Sequence, residues 1–151
     1  MNDTNFSSDV NEAKDMVADI IESIDKINKW SSNEAEEQIN ILLDNWKSLC
    51  ENTASAKSRE FCGKCEQILL GCTAFQNEIV AKTESFKETV QDQIPVISAL
   101  AGDSEVIKNL LDQVIGQLWN EIERPRLLFL YDKSVELETS IQGMVELAMT
   151  V

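Results

Sequence analysis

Apolar residues recur at alternating three- and four-residue steps through nearly all of this 151-residue chain, which holds five Gly and two Pro. That spacing gathers one class of side chain on a single face of an α-helix, because positions i, i+3, i+4 and i+7 stack on successive turns. With so few turn-forming residues, the pattern predicts long packed amphipathic helices and leaves little room for strands or large loops.

The first stripe is Val10, Ala13, Val17, Ile20, Ile24 and Ile27, and Asp9 and Glu12 at its start are spaced as a capping box, so a helix is expected to start near Asp9. At Trp30-Ser31-Ser32-Asn33 the stripe lapses, Ser31 and Glu34 repeat the box spacing, and the pattern resumes shifted at Ala35, Ile39, Leu42, Trp46 and Leu49. A turn or a stutter absorbed within one helix would produce that shift. The small polar run between Glu51 and Ser58 predicts a turn. Phe61, Cys65, Ile68, Cys72, Phe75, Ile79, Thr83, Phe86, Val90, Ile94 and Ile97 then predict a single helix over about 57–100, kinked or ended by Pro95. Ala101-Gly102-Asp103-Ser104 joins a glycine stop to a new N-cap. Beyond it, Ile107, Leu111, Val114, Leu118 and Ile122 form one stripe, and Leu127, Leu130, Ser134, Leu137, Ile141, Met144 and Ala148 another. The five-residue step between them crosses Pro125, and phase slip and proline together predict a kinked or locally unwound helix.

These breaks leave three segments of similar length, Asp9 to Leu49, Lys57 to Leu100 and Ser104 to Thr150. The expected fold is all-α: an up-down antiparallel bundle of three long, kinked amphipathic helices, or of four or five if the breaks near Ser31-Asn33 or Pro125 are true turns. A flexible N-terminus, residues 1–8, is expected ahead of a single helical-bundle domain, residues 9–151. In an up-down-up order both irregularities fall a little over 20 residues from the same end, about 30 Å at the helical rise.

The 27 acidic and 13 basic side chains leave a net charge of −14, a field that repels phosphate backbones and anionic headgroups and so disfavours nucleic-acid binding. No apolar run is long enough to span a membrane, and the first ten residues carry neither a basic nor an apolar signal region. A cytoplasmic protein is expected, with secretion the alternative if a signal peptide has been removed. Asn2-Asp3-Thr4 and Asn5-Phe6-Ser7 fit the N-glycosylation pattern, which would count only in the secreted case.

The chain contains no histidine, which excludes Ser-His-Asp and Cys-His catalysis, His-ligated metal or haem sites and the Glu-x-x-His di-iron sites of some bundles. Its glycines are isolated and match neither the phosphate loop nor the dinucleotide fingerprint. Cys62-Gly63-Lys64-Cys65 comes nearest to chemistry, but Cys50 and Cys72 do not complete a paired zinc spacing, and no strand precedes it as a thioredoxin-like motif requires. Cys65 and Cys72 instead fall on the core stripe, where a free thiol packs as a small hydrophobe; a disulfide, or metal or redox chemistry, are the lesser readings. Glu34, Glu36, Glu37, Asp103 and Glu105 favour helix dipoles in first turns. No catalytic residue, cofactor or metal is expected, and the protein is read as a non-enzyme.

Trp46 lies on its stripe and is expected in the core, whereas Trp30 and Trp119 lie beside theirs, equally suited to core and to partner binding. The segment Arg124 to Tyr131 stands apart, because five consecutive large apolar residues point around the whole helix. Leu127 and Leu130 serve the stripe, leaving Leu128, Phe129 and Tyr131 off it beside Arg124 and Arg126. Either another element covers that side or it docks a protein partner or a second copy of the chain. The expected function is protein–protein interaction through an exposed helix face; the alternative is a bundle that opens at its kinks on an apolar ligand or lipid surface.

Overall fold

The computed structural model describes residues 3–52 and 58–150, so most of the turn expected between Glu51 and Ser58, and Asn2 of the first glycosylation pattern, lie outside it. Helix accounts for 96% of the structure and no strand occurs among the described residues; the chain is an all-α bundle in which three long helical segments pack together. In order these are α1 (Asp3–Ser32), α2 (Glu34–Glu51), α3 (Ser58–Ala101), α4 (Glu105–Leu111), a π-helix (Asp112–Glu123) and α5 (Arg124–Thr150).

Two boundaries differ from the sequence expectation. α1 begins at Asp3, ahead of the box at Asp9. The break between α1 and α2 is a single turn residue, Asn33, whose carbonyl accepts the Glu37 N–H at 3.0 Å. Ser31 is fully buried in the last turn of α1 instead of capping the next helix. Pro95 is exposed and does not end α3, which continues to Ala101 although the proline has no N–H to give to the ladder. The boundary after α3 forms as expected. Gly102 takes φ 56°, a left-handed conformation that costs glycine nothing, and its N–H donates to Ser98 O at 3.2 Å. Ser104 at φ −65°, ψ 113° then opens α4, its carbonyl accepting the Lys108 N–H at 3.3 Å.

Contacts divide the chain into two compact units, one from residues up to Trp30 with Ala81–Arg126, the other from Ser31–Val80 with Leu127 onward. The divisions at Trp30 and Arg126 fall at the two breaks in the stripe.

In the unit containing α1, the stripe Ala13, Val17, Ile20 and Ile24 is buried with Phe86, Ile97 and Ala101 of α3 and Ile107 of α4. Lys82 Nζ of α3 sits 4.7 Å from the Trp30 ring centroid, and Phe86 meets Trp119 of the π-helix with ring centroids 4.0 Å apart. Asn28 Nδ2 of α1 donates to Glu123 Oε2 at 2.9 Å. α1, α3 and the π-helix therefore touch one another pairwise. Trp30 and Trp119 are both core residues here.

The π-helix overturns one part of the expected stripe. Its backbone bonds reach one residue further than in an α-helix, as in the Arg124 N–H donating to Trp119 O, so each turn is wider. The inward positions become Val114, Trp119 and Glu123, separated by a step of five and then of four. Leu118 and Ile122, expected to face inward, are 37% and 55% exposed, and Leu111 is half-buried. The slip sits within the helix before Pro125, and α5 follows the π-helix without a break, so the proline lies inside continuous helix, where its missing N–H leaves out one backbone hydrogen bond.

In the other unit, Leu49 of α2, Phe61, Cys65, Ile68 and Cys72 of α3, and Leu137 and Ile141 of α5 form one buried cluster. Trp46 lies half-buried at its edge, its ring centroid 6.4 Å from Phe61. α2 and α3 run antiparallel: Trp46 pairs with Phe61, while earlier in α2 Leu42 reaches Gly71, where an added Cβ would lie 2.6 Å from Leu42 Cδ2.

A candidate docking face on the last helix

α5 buries Leu127, Leu130, Ser134, Leu137 and Ile141 of the stripe read from the sequence, but its last two members depart from it: Met144, expected inward, is exposed, and Ala148 is half-buried. Ser134 fits among these apolar neighbours because its hydroxyl donates to Tyr131 O at 2.6 Å, satisfying the buried group within its own helix. The inward stripe fixes what faces outward. Leu128 and Phe129 are 51% and 59% exposed, and Arg124 is exposed as well. Arg126 and Tyr131 are half-buried, so these two of the five expected residues present only part of their surface. Lys133 Nζ lies 4.7 Å from the Phe129 ring centroid, a cation–π contact one turn along that the sequence reading did not include. Across residues 124–133 the charged side chains are Arg124, Arg126, Lys133 and Asp132. The stretch is thus basic on a chain whose net charge is −14.

The cysteines are free. Cys65 and Cys72 are fully buried in the core cluster, Cys62 is half-buried and Cys50 is exposed. Burial pushes the Cys72 thiol up from 9.0 to about 11, with the Glu138 carboxylate adding to the rise. Burial also raises Cys65, helped by Cys62 and Cys50, and raises Cys50, helped by Glu51. Only the thiolate reacts, so these shifts suppress reactivity at neutral pH. Native iodoacetamide labelling at pH 8 should therefore modify Cys62 and Cys50 before Cys65, and Cys72 only on unfolding. Peptide mapping that found Cys72 among the first thiols modified would contradict this packing. No cluster of three or more Cys, Asp or Glu side chains able to hold a metal occurs among the described residues.

Sequence reasoning missed Glu123 and Asn28. Glu123 is 1% exposed, yet in the sequence it is one acidic residue among many, and nothing there distinguishes it. No family model, curated protein or solved structure matches this chain.

Proposed function

We propose that this is a non-enzymatic helical-bundle protein that binds another protein through the outward face of α5, at Arg124, Arg126, Leu128, Phe129 and Tyr131. The observation that carries the reading is the exposed pair Leu128 and Phe129 in a basic stretch of an acidic chain. Two adjacent large apolar side chains at the surface gain from being covered, and aromatic and arginine side chains dominate binding hot spots. Charge complementarity selects the occupant: a partner helix whose apolar face is bordered by Asp and Glu. Lys133 over Phe129 holds one basic group against the apolar surface it would help recognise.

Phe129→Glu is the deciding variant. At an exposed position it should change stability by about 0.5 kcal/mol or less, so its melting curve should overlay that of the parent. Bait carrying it should lose the protein captured by the parent, and the parent's capture should weaken as salt rises, because the steering charges are exposed. Sedimentation of both proteins separates this from self-association, in which the parent alone would form a dimer. Flotation with phosphatidylcholine vesicles that Phe129→Glu abolished would move the assignment to a lipid surface. A large loss of stability in Phe129→Glu would place the ring in the core and remove the docking face.

A further inference from the structure

Between Ile107 and Leu127 the inward pattern contains one five-residue step, and this sequence offers two places for it. In the structure the step lies between Val114 and Trp119, inside a π-helix of 12 residues, where π geometry ordinarily lasts a single turn and marks functional positions. The uninterrupted stripe Leu111, Val114, Leu118, Ile122 would instead defer the step to Ile122–Leu127, across Pro125, where the missing N–H already removes a helical hydrogen bond. Val114 and Leu127 face inward in both arrangements.

What differs is the segment between them. The observed register buries Trp119 against Phe86 and Glu123 against Asn28, while Leu118 and Ile122 stand in solvent. The other register would bury the two aliphatic side chains and release the indole and the carboxylate. Each gives up what the other gains: a ring contact and a charge-assisted hydrogen bond against the burial of Leu and Ile.

We infer that Asp112–Glu123 is a register switch, in which the wide turn migrates along the helix and exchanges Leu118 and Ile122 for Trp119 and Glu123 at the surface. The Asn28–Glu123 hydrogen bond is its latch. A ligand that prefers either outward face shifts the equilibrium by its differential affinity for the two registers. This inference stands apart from the docking face on α5.

Fluorine NMR of protein labelled with 5-fluorotryptophan tests it, with Trp119 assigned from the spectrum of Trp119→Phe. Saturation transfer should reveal a second exchanging state, above about 1% of molecules, at Trp119 and not at Trp46. Asn28→Ala should raise that state about tenfold, the effect of losing one hydrogen bond to a charged group. Ile122→Asp, harmless where Ile122 is exposed but burying a charge in the other register, should abolish it. Absence of a second state at Trp119 in the parent would overturn the switch. So would its persistence in Ile122→Asp, whether or not Asn28→Ala folds.

Discussion

Phe75→Ala is expected to lower the free energy of unfolding by about 3–5 kcal/mol, the usual cost of deleting a fully buried ring. Phe75 is 2% exposed and lies on the α3 stripe between Cys72 and Ile79, both buried as well. The cost combines lost transfer energy with a cavity that a helix fixed by its neighbours cannot fully close. Against a typical total stability of about 5–15 kcal/mol, this is a large fraction. It should appear as a lower urea midpoint at unchanged slope. Leu70→Ala, five residues earlier on the same helix, is the control. Leu70 is 64% exposed, so its truncation should stay within about 0.5 kcal/mol. Equal effects at the two positions would mean that α3 buries a different face.

The same contrast explains why so much of the fold was legible. Along α1, α3 and most of α5, hydrogen bonding keeps a constant period, so facing follows from spacing, and the residues read as inward are buried or half-buried. The Gly102 boundary was legible for a similar local reason, since a left-handed residue after a helix is a backbone demand that glycine meets alone. Legibility fails where the period changes. Leu118 and Ile122 satisfy the α pattern, and only the wider π turn, a property of the backbone in its packed context, sends them outward and draws Trp119 and Glu123 in. Ser31 shows the same limit: its spacing to Glu34 suits a cap, but its fully buried position is set by neighbours distant in sequence.

The candidate docking face was half legible. Leu127 and Leu130 hold the stripe, which forces Leu128 and Phe129 off it, so their exposure follows from counting. The partial burial of Arg126 and Tyr131 depends on what lies beside them. The negative charge of the chain adds a condition that spacing alone does not give. Arg124, Arg126 and Lys133 make the stretch basic on a chain of net charge −14, and at physiological salt that contrast acts only within about 8 Å.

Ile141→Asp should be the most damaging single change in α5, costing more than about 4 kcal/mol at neutral pH. Ile141 is fully buried in the cluster of Leu49, Phe61, Cys65, Ile68, Cys72 and Leu137, all apolar side chains or thiols, so a carboxylate there would lose its hydration without gaining a partner. Glu138, one turn earlier, adds repulsion. Both effects raise the folded-state pKa of the new Asp above its unfolded value of about 3.9. Between those two pKa values the folded state binds the proton more readily. The penalty is therefore complete above the folded pKa and shrinks as pH falls through it towards the unfolded one. The difference between variant and parent, measured by chemical unfolding at each pH, should accordingly narrow on acidification. Ile141→Val keeps the core apolar and should cost only about 0.5–1.5 kcal/mol, so it reports on packing even if the aspartate variant does not fold. If Ile141→Asp melts with the parent at neutral pH, α5 does not pack this face into the core, and the outward assignment of Leu128 and Phe129, which rests on the same stripe, falls with it.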